Sequence, residues 1–233
     1  MCIRDRQFVV VQNKKLDPTG RLLEKQNIVV PTATVDAQTG KLFAQGPGSI
    51  SMHRDGDVAM GNPFSRLSKI KKRGLSFIQI NFDGDMELNS EKKSLTVNRN
   101  VRTIYTPVGS WTQTVSPDAP RRSAPAGSVN LTCQNLTLAQ WTPRGAQKAD
   151  SEMIATGNAH IFSPTFESTA DRVSYKRSAD TLIIEGTPRN EASLWFKQSA
   201  NDKNPTQMTA EKITYRIKDQ RARAEAVNSI SIK

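Results

Sequence analysis

Apolar and polar residues alternate one by one along several short runs of this chain. The apolar members of the clearest runs are Val173 and Tyr175; Leu182 and Ile184; Leu194 and Phe196; and Ile213, Tyr215 and Ile217. Successive side chains of a β-strand point to opposite faces, so these runs predict strands with one apolar and one solvated face. No stretch of ten or more residues carries a convincing helical period. The pattern predicts an all-β protein.

Three segments repeat one short pattern at spacings of 37 and then 40 residues, namely Thr132–Leu138, Thr169–Tyr175 and Thr209–Tyr215. Each runs threonine, three mostly polar residues, an aliphatic residue, a hydroxyl residue, and then leucine or tyrosine. A fixed period of this size indicates stacked units that bury their apolar faces against their neighbours. The repeat favours a binding or bridging protein, because stacked β units offer long grooves and open ends.

Proline and glycine divide the chain into blocks. Residues 8–105 are predicted to form a divergent block of β repeats, and residues 129–233 carry the clearest repeats. Between them, residues 106–128 contain four prolines, which deny a sheet its backbone donors, so we expect a loop or hinge there. The opening residues 1–7 resemble translated sequencing adapter, and we expect them not to be native.

Composition narrows the partners of the protein. The formal net charge of +11 is spread evenly along the chain, which suits a phosphate-bearing partner, although a solvated basic surface has the same composition. Aromatic residues make up only 6% and are scattered, whereas RNA-binding sheets cluster them for stacking bases. We therefore expect an anionic lipid rather than nucleic acid.

Candidate catalytic and metal-binding residues are few. His53 and His160 are far apart in sequence, and neither has further ligands at metal-site spacing. Asp83-Gly84-Asp85 lacks the additional oxygen ligands of a calcium loop and is interpreted as a turn. The chain has no phosphate loop and no nucleophile elbow. We expect neither enzymatic activity, nor a cofactor, nor a metal.

Several strands resemble those of the OstA/LptA-like family of lipopolysaccharide transport proteins. The segment Met153–Ile161 is similar to the family's A-x-G-n-v strand, and Ser168–Tyr175 is similar to its a-d-x-a-x-Y strand. Thr181–Gly186 resembles the l-x-l-x-G strand, while Thr209–Tyr215 and Thr39–Gly46 repeat the second and third patterns. The resemblance extends over residues 130–233 and, less regularly, over residues 30–105.

The resemblance implies an elongated, twisted antiparallel β-jellyroll, folded like an open taco, with acyl chains inside and a phosphorylated head group outside. Such proteins stack through edge strands with other β-jellyroll components, as homo-oligomers or with partners, and bridge the periplasm; a missing N-terminal segment would attach this one to a membrane. The residues expected to line the lipid groove are Val173, Tyr175, Leu182, Ile184, Leu194, Phe196, Ile213, Tyr215 and Ile217.

Three alternatives remain open at the level of sequence. The nine groove residues are equally compatible with a closed core, in which case a charge at Leu182 or Ile184 would unfold the protein. The protein could also be an assembly module that stacks through edge strands without binding lipid. A carbohydrate-active enzyme would need paired carboxylates on one face, for which Asp83 and Asp85 are the nearest candidates.

Overall fold

The computed structural model describes residues 8–55, 74–119, 125, 127–142, 150–187, 189–197 and 205–232. The expected non-native start, residues 1–7, lies outside this part of the chain, as do residues 120–124 and 126 of the expected loop or hinge. The described residues contain antiparallel strands and no helix. The prediction of an all-β protein is confirmed.

Fifteen strands make up the fold. They are β1 (Val9–Leu16), β2 (Leu22–Val30), β3 (Thr32–Asp36), β4 (Lys41–Gln45), β5 (Gly48–Arg54), β6 (Ser76–Phe82), β7 (Asp85–Asn89), β8 (Ser94–Pro107), β9 (Val129–Trp141), β10 (Asp150–Ser163), β11 (Phe166–Lys176), β12 (Thr181–Glu185), β13 (Ala192–Phe196), β14 (Thr206–Arg216) and β15 (Arg221–Ile232). The three repeated segments lie on β9, β11 and β14.

Apart from β1, the strands belong to long passes of the chain that bend once near their middle. Four passes are broken at the bend into β2–β3, β4–β5, β6–β7 and β12–β13, so the fifteen strands correspond to eleven passes. On one side of the bends, half I contains β1, β2, β5, β6, β13 and residues 101–107, 129–133, 159–163, 166–170, 206–210 and 227–232. On the other side, half II contains β3, β4, β7, β12 and residues 94–98, 135–141, 150–156, 172–176, 212–216 and 221–225.

The bends lie side by side and form a line that we call the crease. It runs through Pro31, Gly46, Gly84, Arg99-Asn100, Gln134, Gly157-Asn158, Asp171, Gly186, Glu211 and Ala226. Neighbouring bends are hydrogen-bonded, because the Gly84 amide donates to the Asn98 carbonyl over 3.1 Å and the Gly186 amide donates to the Glu211 carbonyl over 2.9 Å. Arg99, Asn100, Gly157 and Asn158 all have positive φ, the conformation that glycine and asparagine adopt most readily.

The inner faces of the two halves meet in one hydrophobic cluster, which we call the interior. The Tyr215 ring of half II contacts two rings of half I, with centroids 5.3 Å from Phe166 and 5.2 Å from Phe196. The cluster runs from Ile28 to Ile217 and draws residues from both blocks of the chain. The fold is therefore a sheet folded along the crease, in accord with the expected jellyroll-like architecture.

Residues 108–119 of the expected loop or hinge follow the outer face of half I. The Gln113 carbonyl lies 2.8 Å from His53 Nε2, and the Asp118 carboxylate lies 2.9 Å from Arg102 Nε. Phe77 and Ile104, on that outer face, are 0% and 1% exposed. Residues 108–119 thus form a strap, and the sheet itself continues beneath the strap because β8 pairs with β9 from Ser94 to Tyr105.

Candidate functional site

The inner face of half II carries two apolar rows that cross all ten of its strands. The row beside the crease is Ala33, Ala44, Met86, Val97, Leu136, Ala155, Val173, Ile184, Ile213 and Ala224; the next is Val35, Leu42, Leu88, Leu95, Leu138, Met153, Tyr175, Leu182, Tyr215 and Ala222. Because the strand registers align these positions, the alternation of each strand adds up to a continuous apolar surface.

The inner face of half I is built in the same way. The row beside the crease consists mainly of small residues in its second part, namely Cys133, Ala159, Ala170, Ala192 and Ala210, which leaves room for the close approach of half II. The next row is Ile28, Ile50, Ile80, Thr103, Leu131, Ile161, Ser168, Leu194 and Met208. Only Thr103 and Ser168 in this row carry a polar group.

All nine expected groove residues face this interior. Val173, Leu182, Ile184, Leu194 and Ile213 are 0% exposed, Tyr175 and Tyr215 are 1% exposed, and Phe196 and Ile217 are 7% exposed. Leu194 and Phe196 come from half I, and the other seven come from half II or the turn that follows β14. The structure brings the set together as neighbours across the fold, packed against one another; their contact with lipid stays a prediction.

Phe166 is part of the same cluster, although no sequence pattern singled it out. It is 2% exposed and forms one of the two ring contacts that join the halves at Tyr215. Burial raises the pKa of the Tyr215 hydroxyl to about 12 and that of the Cys133 thiol to about 12, since neither anion is solvated here. Both groups are therefore neutral at pH 7, in keeping with the apolar surroundings of the interior.

A polar pair marks one margin of the interior. Glu24 of β2 and Arg54 of β5 lie on the inner face, with Glu24 Oε2 3.2 Å from Arg54 Nε and both side chains mostly buried. Burial lowers the pKa of the Arg54 guanidinium, and the Glu24 charge opposes that shift. Because both charges are paired, the apolar surface ends here without leaving an isolated charge.

The two histidines lie outside the interior. His53 is 4% exposed and packs beneath the strap, with its ring 4.6 Å from that of Phe77. His160 Nε2 lies 2.8 Å from Glu167 Oε1 on the outer face of half I. No group of three or more His, Cys, Asp or Glu side chains in the described ranges is arranged to hold a metal ion.

Asp83 and Asp85 belong to the crease. The Asn100 side-chain amide donates to Asp83 over 2.9 Å, and the Asn98 side-chain amide donates to Asp85 over 2.9 Å. The Asp83-Gly84 pair separates β6 from β7, and because both strands pair with β8, the predicted turn is a bend within one pass. Both carboxylates therefore tie neighbouring bends together.

Strands β1 and β3 expose apolar side chains at one end of the folded sheet. Among the described strands, β1 pairs only with β2 and β3 only with β4. Val10 and Leu16 on β1 are 53% and 55% exposed, and Val35 on β3 is 65% exposed. Val35 also begins one of the interior rows, so the interior reaches this end.

Comparison of the chain with protein-family models found no match, and comparison with curated proteins found none either. Among the described residues, no helix is long and apolar enough to span a membrane. The function is therefore argued from the interior and the ends of the folded sheet.

Proposed function

We propose that the protein is a non-enzymatic periplasmic carrier that holds the acyl chains of lipopolysaccharide, or of a related anionic lipid, in its interior. The proposal rests on one observation above all: two apolar rows cross ten strands without a polar interruption and face a second, largely apolar sheet. In this role the protein is one link of a bridge that carries lipid to the outer membrane.

The energetics favour such a ligand. Each acyl methylene transferred from water to an apolar interior contributes about 0.8 kcal/mol, and the net charge of +11 attracts a phosphorylated head group that stays outside. The halves contact each other at Tyr215, Phe166 and Phe196. Acyl chains consequently enter by separating the halves or by displacing these rings.

The last strand carries small, partly buried side chains at one end of the interior. Both rows of half II end on β15 with alanine, Ala224 opposite Ile213 and Ala222 opposite Tyr215. These alanines are only partly buried where they pack against the cluster. We place the entry of the acyl chains at the β15 end, because small side chains of both rows lie there, and from this end the chains extend along the interior rows.

Native mass spectrometry of protein purified from a lipopolysaccharide-producing host tests the proposal. We expect an adduct with the mass of lipid A or of its precursor lipid, and we expect Ala224→Leu to reduce its occupancy because the larger side chain occupies the end of the row. Glu225→Leu is the matched control, since it places the same side chain on the outer face of the same strand. An apo mass that persists after incubation with lipopolysaccharide would contradict the proposal.

The exposed apolar residues of β1 and β3 favour a second function, an assembly module that stacks through its edge strands without lipid. An unpaired edge offers free backbone donors and acceptors to another strand. Sedimentation of lipid-free protein should then show concentration-dependent oligomers, which Val10→Lys and Val35→Lys disperse. Thr34→Lys on β3, an outward position, is the control. A monomer at all concentrations would refute self-stacking.

A further inference from the structure

Two hydroxyl groups interrupt the apolar inner row of half I. Thr103 lies on β8 between Ile80 and Leu131 and is 1% exposed, and Ser168 lies on β11 between Ile161 and Leu194 and is 0% exposed. Within the described part of the chain, Thr103 Oγ1 and Ser168 Oγ have no hydrogen-bond partner. They are buried polar atoms directed into the interior.

Other buried hydroxyls in or next to half I are satisfied. Ser163 Oγ donates to the Phe166 carbonyl over 3.3 Å. Ser128 Oγ lies 2.9 Å from Thr106 Oγ1 and 2.6 Å from the Pro125 carbonyl oxygen. A buried hydroxyl without a partner is unfavourable, because it loses its bonds to water and gains none. Valine and alanine would fit the apolar row without that loss, so the two hydroxyls are disfavoured by packing alone.

We propose that Thr103 and Ser168 hydrogen-bond to oxygen atoms carried along the hydrocarbon part of the ligand, so that the interior prefers oxygen-bearing acyl chains over plain hydrocarbon. This inference rests on the proposed lipid-binding function and specifies its substrate class as hydroxylated or ester-bearing fatty acyl chains. Three strand spacings separate the two positions, or about 14 Å. A chain that lies along the row, past Leu131 and Ile161, reaches both hydroxyls.

Binding of matched fatty acids tests the inference. The probes are octadecanoic acid and its derivatives with a hydroxyl at carbon 3, 10 or 12, each measured by displacement of a fluorescent fatty acid from the full chain. We expect at least one hydroxylated probe to bind about five- to tenfold more tightly than octadecanoic acid, as one or two added hydrogen bonds would give. Equal binding of all four probes would overturn the inference and leave the proposed function standing.

The double variant Thr103→Val, Ser168→Ala separates recognition from folding. Its affinity for octadecanoic acid should equal that of the wild type, its preference for the hydroxylated probe should disappear, and its melting temperature should stay the same or rise. Thr169→Val is the control, because Thr169 is the outward neighbour of Ser168 and should keep the preference. A preference retained by the double variant, or a lower melting temperature, would overturn the inference; failure of the wild type to bind any probe would reject the proposed function as well.

Discussion

At the scale of single residues, the positions beside the crease in half I hold small, buried side chains. Cys133, Ala170 and Ala210 occupy the second position of the three repeated segments and are 4%, 3% and 0% exposed. The repeat pattern had grouped this position with mostly polar residues. In a straight strand, residues three places apart point to opposite faces. Here the bend lies between the second position of the segment and the aliphatic residue three places later, so both of these side chains point into the interior.

Burial of Cys133 and Tyr215 makes the fold sensitive to alkaline pH. Both pKa values rise to about 12 in the folded protein, from ordinary values of 9.0 and 10.0. The unfolded chain therefore releases these protons first, so the free energy of unfolding should be highest below pH 9 and should decrease as the pH rises from about 9 towards 12.

Denaturant melts between pH 7 and pH 11 measure this dependence. The double variant Cys133→Ala, Tyr215→Phe should lose less stability over this range than the wild type, since it cannot form the two anions. An unchanged pH dependence in the variant would show that other groups control alkaline unfolding.

Adjacent residues of β12 should respond oppositely to a charge. Leu182 is 0% exposed in the interior, whereas Ile183 points to the outer face between Ser174 and Thr214. Leu182→Glu should lower the free energy of unfolding of the lipid-free protein by about 4 kcal/mol or more, because it buries an unpaired charge between the closed halves. Ile183→Glu should cost under about 1 kcal/mol. Similar losses in thermal melts of the two variants would contradict the assigned faces of β12.

At the scale of elements, the bends along the crease make the strands enclose the interior. A straight sheet has a single apolar face. A sheet bent along the crease has two apolar faces that oppose each other, and each bent pass contributes residues to both. The alternating runs predicted the strands themselves. The line of bends was not predicted, because each bend is a local irregularity whose alignment depends on strand register.

Gly157 of the crease should be harder to replace than Gly20, although both have positive φ. Its φ is +78°, and a Cβ there would lie 2.6 Å from the Cβ of Gln134 on the neighbouring strand. Gly20 has a similar φ of +83° but no atom within 4 Å. Gly157→Ala should therefore lower the free energy of unfolding by about 1–3 kcal/mol more than Gly20→Ala. Equal losses in denaturant melts would show that the close approach at Gly157 is readily relieved.

At the scale of the whole molecule, the strap crosses the outer face while the sheet runs on beneath it. Residues 106–128 were expected to be a loop or hinge between two β blocks. Residues 108–119 are anchored through Gln113 and Asp118 to His53 and Arg102. Proline content predicted the departure from the sheet, but the anchoring depends on residues distant in sequence.

Pairing of β8 with β9 should make the two blocks unfold together. Single-tryptophan variants that keep either Trp111 in the strap or Trp195 on β13 report on one block each. Their denaturant midpoints should coincide with each other and with the loss of far-ultraviolet circular dichroism. Separate midpoints would indicate blocks that unfold independently, as a hinge would allow.

The amino-acid sequence by itself determined the all-β class, the positions of most strands and the inward face of residues such as Leu182 and Tyr215, since alternation is a local property of the chain. Only the tertiary structure decided that these faces enclose one interior, that Phe166 closes it against Tyr215, and that Thr103 and Ser168 stand unpaired within it. Those features depend on the register between distant strands and on the alignment of their bends, and neither quantity is encoded in any short segment.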